Sequence, residues 1–519
     1  VTAVERPGAA VAGRLSAVVA GGGVSGLAAA LELAEAGFAV TLVEAAAELG
    51  GKLVTTSWRG RPLDLGPDAF IARNPAAAEL CRRLGLGDEL IAPAASSAAV
   101  FARGALRRLP AGLALGIPVE LAALARSGVV SAPGIARAGL DLVLPGPDLS
   151  GLAERARQGG TDPTIAEVVL PRLGREVFAN LVDPLLGGIN AGNSRALSFA
   201  AAAPALAARL GGRASLIRSL RPAGAQPRRW APQRGRSGTR PPAAGGAGAG
   251  AGQVPVRAAS SQPGPVFLGL ERGLASLVEA LVSACRVAGV EIRLRSPLER
   301  IRPHGSGEDE GGYVVELAGG AQLEAGAVVL ALPAGAAASA LDALDPRLAA
   351  ELAAIPYAGV ALVTAAFDRA AGPPLQGSGV LVPRTAGRLV TAVTFVSNKW
   401  PRSSDPGELV VRASVGRHLD ESALELDDDR LAETALGEVA ALTGLRAPPR
   451  EILVQRWPAS FPQYVSGHLA RVERIEQLVA RHPGLAVTGA AYRGIGIPAC
   501  VEDARRVAAR LAASAAPVG

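Results

Sequence analysis

The strongest constraint on this chain lies near its N-terminus, where an apolar run from Leu15 to Ala20 breaks into Gly21-Gly22-Gly23-Val24-Ser25-Gly26-Leu27. An Ala/Leu/Glu stretch follows to Gly37, and a second apolar run ends on Glu44. Strand, glycine turn, helix, strand, acid is the order of a βαβ unit that holds a dinucleotide. Gly21 permits the tight turn, Gly23 lets backbone approach a pyrophosphate, and Gly26 lets the helix pack closely on the sheet. Val24 and Ser25 open the helix, whose N-terminus turns unpaired N–H groups and a positive dipole end toward phosphate. Glu44, about 20 residues beyond the glycines, is spaced to accept hydrogen bonds from a ribose. In a chain with 64 glycines, G-x-G-x-x-G alone would be weak; the flanking strand, helix and acid make it informative.

The 519 residues exceed one ordinary domain, and 49% hydrophobic with 19% charged residues suits a globular protein with a large core. No run of 18 uncharged apolar residues stands out, and no basic region leads into an apolar block, so a cytoplasmic location is expected. Cys81, Cys285 and Cys500 are odd in number and widely spaced, which argues against a disulfide framework or a metal site. The net charge of +7 does not indicate nucleic acid: residues 221–265 hold seven arginines and no acid, which accounts for the whole excess. That Pro/Gly/Ala tract offers little to bury and is expected to be a disordered insertion. His304, His418, His468 and His482 are scattered and read as structural.

After Glu44 come Glu48-Leu49-Gly50-Gly51-Lys52 and then Asp64-Leu65-Gly66-Pro67. This resembles the flavin-containing amine oxidase and protoporphyrinogen oxidase superfamily, in which an acid, a short helix and a Gly-Gly-Arg/Lys turn wrap FAD. Further segments narrow the resemblance: Asp183-Pro-Leu-Leu-Gly-Gly-Ile-Asn190, Gly377-Ser-Gly-Val-Leu-Val-Pro-Arg384, Ser397-Asn-Lys-Trp400, Arg412-Ala-Ser-Val-Gly-Arg417, Pro462-Gln-Tyr464 with Gly467-His468, and Gly494-Ile-Gly-Ile-Pro498. Together they are similar to the bacterial porphyrinogen oxidases, the group comprising protoporphyrinogen oxidase and the coproporphyrin-forming coproporphyrinogen III oxidase.

The resemblance implies an α/β fold: a Rossmann-like FAD-binding domain of the amine-oxidase type, an interleaved α+β substrate domain and a helical lobe. The expected boundaries are a flexible tail at 1–14, FAD-binding segments at 15–75, 266–340 and 481–519, a helical substrate lobe at 76–220, the insertion at 221–265 and the substrate domain at 341–480. Within the lobe, Cys81 to Leu90 reads as one helix. Non-covalent FAD would be held by Gly21, Gly23, Val24, Ser25, Gly26, Glu44, Gly50, Gly51, Lys52, Gly66, Pro67, Leu298, Gly489, Ile495, Gly496 and Ile497. Lys52 stands where Arg is commoner, keeping the charge without the planar fork.

The implied reaction is six-electron oxidation of coproporphyrinogen III to coproporphyrin III, with oxygen as acceptor and hydrogen peroxide as co-product, in haem biosynthesis. Protoporphyrinogen IX oxidation is the alternative, then a catalytically silent porphyrin-binding flavoprotein, then an amine oxidase. Because the cofactor carries the redox chemistry, no catalytic side chain is assigned. Propionates need cations at the pocket rim, and Arg73, Lys399 and Arg417 are the candidates. Transient contact with haem-pathway enzymes and at most peripheral membrane contact are expected, with no nucleic-acid partner.

Overall fold

The computed structural model describes residues 4–5, 15–210, 212, 215–221, 264–304 and 312–515. Most of the 221–265 insertion and of the 1–14 tail therefore lie outside the described residues, while Val4–Glu5 pairs in parallel with Gln322 and Leu323.

The dinucleotide domain is built on β1 (Ser16–Ala20), α1 (Val24–Glu35), β2 (Ala39–Val43), α2 (Ala275–Val287), β3 (Glu291–Arg293), β4 (Ala327–Leu330), β5 (Leu485–Val487) and α3 (Ile497–Ala515). Its sheet is parallel with strand order β3-β2-β1-β4-β5. The order reverses between β1 and β4, and ligands of open α/β sheets bind at the carboxyl ends of the strands beside such a switch point. Alternation within the strands makes both faces apolar. Ala17, Val19, Val40, Leu42, Val329 and Ala486 pack with α1, α2 and α3. Val18, Ala20, Val43, Val328 and Leu330 pack against an antiparallel meander through Ile301, Val315 and Leu323, and against the helices Ala334–Leu341, Pro346–Ala353 and His468–Val479. The last two helices fall in the span expected for the substrate domain, yet they complete the dinucleotide domain.

The second domain is a seven-stranded sheet ordered Glu451–Pro462, Tyr357–Asp368, Glu408–Val415, Val390–Phe395, Gly379–Leu381, Ala98–Ala102, Ala105–Arg108. Its pairings are antiparallel except that Ala98–Ala102 runs parallel to Gly379–Leu381. The two N-terminal strands come from the span expected to be helical. Ala361, Val363, Val411 and Ala413 turn one face toward the helix Asp428–Thr443. Side chains alternate along a strand, so Val360 and Leu362 face the other side, toward the helical lobe.

The lobe is organised by Ile165–Val177, which starts in a capping box of Thr164 and Glu167 and kinks at Gly174. It runs into a ten-residue π-helix, Phe178–Gly187, a wide turn geometry that is rare and concentrates at functional sites. Cys81 to Leu90 is not one helix. The helix is Ala76–Arg83, started where Asn74 accepts from the Ala76 amide and stopped by Gly85 at φ +80°, with a 3-10 turn at Gly87–Glu89. A left-handed glycine satisfies the last carbonyls and turns the chain away.

Candidate functional site

At the end of β1 the three motif glycines answer to different constraints. Gly21 has φ +107°, and a Cβ on it would lie 2.5 Å from the carbonyl oxygen of Ala331, just beyond β4. A Cβ on Gly26 would lie 1.8 Å from the Gly21 carbonyl oxygen. Both glycines are demanded by protein packing. A Cβ on Gly23 would meet no atom within 4 Å, and its φ of −74° suits any residue. The protein itself gives Gly23 no reason to lack a side chain, so the groove above it fits a ligand that approaches the backbone, as a pyrophosphate does.

Glu44 closes the groove at the end of β2, where one carboxylate oxygen accepts from the Gly22 amide at 2.6 Å and the other from the Ala46 amide at 2.8 Å. The second glycine pair is tied to the first, because the Gly50 amide donates to the Gly22 carbonyl at 2.8 Å. Gly50 and Gly51 both have positive φ, and a Cβ on Gly51 would stand 3.4 Å from the Gly23 Cα. Gly66 presses so close to the Lys52 carbonyl that a Cβ would stand 2.1 Å from it, with Pro67 next in the chain. Leu298 begins the meander strand that follows Ser296, whose amide donates to the Glu44 carbonyl at 2.8 Å.

Lys52 is walled by protein but remains accessible from the cleft, and its ammonium donates to the Ser460 carbonyl. Burial lowers its pKa from the ordinary lysine value, against a weaker opposing effect of Cys500. Cys500 lies in the first turn of α3, where burial pushes its thiol up to about 11 and so keeps it protonated at neutral pH. Its thiol donates to the Gly494 carbonyl at 3.8 Å, and Ser25 at the start of α1 is near enough to offset part of that rise. Gly489, Ile495, Gly496 and Ile497 are on the same approach: the Gly489 Cβ position is 3.9 Å from Ser25 Oγ, and Gly496 accepts from the Cys500 amide at 3.0 Å. Two helix N-termini thus converge on one cleft, an arrangement that stabilises negative charge.

Behind this loop Tyr464 stacks on His468 with centroids 4.0 Å apart, and its hydroxyl donates to Ala490 at 2.7 Å. His468 is buried, and its Nε2 lies 2.9 Å from the Tyr492 carbonyl, which can only accept, so Nε2 carries the proton. Burial lowers its pKa to about 4. An unfolded histidine protonates near pH 6.5, so between the two values the unfolded chain binds more protons and stability rises with pH. The contribution is complete above about pH 6.5 and is lost as pH falls toward 4, by ~3 kcal/mol in total. Urea unfolding at a series of pH values should show this slope in the native protein and not in His468→Phe; equal slopes would reject the assignment.

The three candidate cations have different surroundings. Arg73 is exposed and makes no hydrogen bond or ion pair among the described residues. Lys399 holds both carboxylate oxygens of Asp68, at 2.8 and 2.9 Å, and lies over the Trp400 ring. Burial alone would raise the Asp68 carboxyl, but Lys399 and Arg412, with hydrogen bonds from Lys399 and Trp400, hold it below the usual range. The Lys399 charge is therefore already matched. Arg417 borders a chamber between the open face of the seven-stranded sheet and the π-helix, with Arg384 on the same rim. Sequence reasoning missed Arg384 and Asp183, although both stood inside segments that carried the resemblance; the signal was a cation just past a strand-ending proline.

The profile of the flavin containing amine oxidoreductase family matches residues 24–512. The chain is 34% identical to the coproporphyrinogen III oxidase of Mycobacterium bovis over 94% of this chain and 95% of that one. It is 30% identical to the coproporphyrinogen III oxidase of Bacillus subtilis over 95% and 97%. A solved structure from Exiguobacterium sp. 255-15, assigned as a protoporphyrinogen oxidase, superimposes with a TM-score of 0.77 at 29% identity, over 96% of this chain and 99% of that one. Among the described residues no helix is long and apolar enough to cross a membrane. The glycine cradle, the reversed strand order and these full-length likenesses agree, and the chain belongs to the porphyrinogen oxidase group of the FAD-dependent flavin containing amine oxidoreductase family.

Proposed function

We propose that this protein oxidises coproporphyrinogen III to coproporphyrin III. The observation that carries the reading is a dinucleotide cradle adjoining an apolar chamber with guanidiniums on its rim, in a chain with full-length likeness to oxidases of that name. One strand joins the two: on Glu451–Pro462, Ser460 receives Lys52, Trp457 donates to the Leu65 carbonyl at 2.8 Å, and Phe461 lines the chamber.

Bound FAD supplies two-electron acceptance from carbon and reoxidation by oxygen, so six hydrogens leave the macrocycle as three O₂ become three H₂O₂. The chain's part is placement. Gly21, Gly23, Val24, Ser25 and Gly26 would hold the pyrophosphate at the α1 N-terminus, and Glu44 and Leu298 would serve the adenosine. Gly50, Gly51, Lys52, Gly66 and Pro67 would hold the cofactor toward its flavin, to which Gly489 with Ile495, Gly496 and Ile497 would offer backbone amides. Val360, Leu362 and Val382 give the macrocycle an apolar floor that excludes water. Arg73 and Arg417 are available to carboxylates, whereas Lys399 secures Asp68.

The test is aerobic turnover of coproporphyrinogen III and protoporphyrinogen IX in parallel by the flavin-loaded protein, following porphyrin fluorescence and peroxide. Faster oxidation of the tetrapropionate with peroxide release is expected. A preference for protoporphyrinogen would assign the chain to the other activity, and oxidation of neither would reject the reading.

A further inference from the structure

The rim of the chamber holds two guanidiniums whose hydrogen-bonding capacity the protein leaves largely unused. Arg384 follows the strand Gly379–Leu381 and is held by one terminal nitrogen, Nη2, which donates to the Gly192 carbonyl at 2.8 Å and the His418 carbonyl at 3.3 Å. Its Nε stands 3.8 Å from Asp183 Oδ2 and its Nη1 3.6 Å from Asp420 Oδ2, both beyond hydrogen-bond length. Arg417 spends Nε on Asp420 at 2.9 Å, and its terminal nitrogens make no hydrogen bond among the described residues. The Arg384 and Arg417 side chains are only 23% and 11% exposed, so these idle donors are not simply waving in solvent.

Burial of Arg384 and its proximity to Arg417 both work against its charge, and Asp183 and Asp420 compensate from a distance. Asp183 is itself engaged, accepting from the Ser194 amide at 3.2 Å. Asp420 is 47% exposed on a turn and is the group an incoming anion would displace. The chamber between these groups encloses about 100 Å³ and opens to solvent, with Val360, Leu362, Pro184 and Phe461 as apolar walls. Phe461 and Val360 also pack with Trp457, whose ring lies 3.7 Å from the Cβ position of Gly66 on the cofactor side. The chamber and the cradle therefore share a wall.

We propose that Arg384, acting with Arg417, binds a propionate carboxylate of the tetrapyrrole, taking it in place of Asp420. The inference rests on the porphyrinogen reading and names the side chains that orient that substrate. A guanidinium pair fits a planar carboxylate through paired N–H donors, and the half-buried setting strengthens the bond relative to open solvent.

The experiment measures coproporphyrin III binding by fluorescence, and KM and kcat for coproporphyrinogen III, on FAD-loaded wild type, Arg384→Gln, Arg417→Gln, Arg384→Lys and Asp420→Asn. Flavin content and thermal midpoint report on folding. Arg384→Gln is expected to raise KM roughly tenfold with kcat and flavin content near wild type, Arg417→Gln to act in the same direction, and Arg384→Lys to recover part of the loss. Asp420→Asn is expected to lower KM, because it removes the competing carboxylate, an effect that a purely structural role for the rim would not produce. Unchanged KM in both Gln variants, or a rise in KM for Asp420→Asn, overturns the inference while leaving the oxidase reading intact. Absence of both binding and turnover in the wild type overturns the oxidase reading, and this inference with it.

Discussion

Replacing Gly23 by Val is expected to give a folded protein that is purified without its yellow colour. The Gly23 backbone, at φ −74° and ψ 178°, accepts a β-branched residue, and its Cβ has no protein neighbour within 4 Å. The new side chain would instead occupy the groove through which the pyrophosphate reaches the α1 amides, weakening FAD by about 10- to 100-fold. Gly26→Ala is the contrasting change. Its Cβ would lie 1.8 Å from the Gly21 carbonyl oxygen, so α1 must move off β1 and stability is expected to fall by about 3 kcal/mol even without cofactor. Denaturant unfolding of the apoproteins and FAD titration by fluorescence separate the two effects. If Gly23→Val destabilised the apoprotein as much as Gly26→Ala, the case for a ligand groove above Gly23 would be lost.

That contrast also marks what the sequence made legible. The cradle is local: Gly21 to Glu44 is one continuous strand-turn-helix-strand, so spacing in the chain becomes spacing in the fold. The Gly494–Pro498 start of the last helix was readable for the same reason, since glycines and a proline at the first turn mark a helix entry. The chamber was not readable, because its rim joins Asp183, Arg384 and Arg417 through a sheet whose strand order bears no simple relation to chain order. Ala98–Arg108 joined that sheet for a related reason. A short run of Ala, Val and Phe has no decisive period of its own, and its parallel pairing with Gly379–Leu381 is a long-range event. Lys399 illustrates a third limit: a lone lysine in sequence shows its charge but not Asp68, 331 residues away, that matches it.

Asp64→Ala is expected to be the most destabilising single change near the cleft, at about 3–5 kcal/mol. The Asp64 carboxylate is buried and fully engaged: Oδ1 accepts from the Leu274 amide at 2.8 Å and the Thr55 hydroxyl at 2.6 Å, while Oδ2 meets Arg402 Nη2 at 2.8 Å. The Arg402 side chain is only 5% exposed, so removing Asp64 strands a buried cation and an amide together. Arg412, also buried, donates to the Asp64 backbone carbonyl and so fixes the same segment from the second domain. Asp64→Asn is expected to cost less, because it keeps an acceptor for Leu274. In Asp64→Ala/Arg402→Leu the loss is expected to be smaller than the sum of the two single changes, since no charge is left behind. Urea unfolding of the four proteins measures this, and a strictly additive double mutant would show that the pair is not coupled. Gly66 lies two residues beyond Asp64 and packs on the Lys52 carbonyl, so loosening Asp64 is also expected to raise the FAD dissociation constant. Flavin loss should then accompany the lost stability in Asp64→Ala and be smaller in Asp64→Asn, linking a buried ion pair between the domains to the cofactor it helps to enclose.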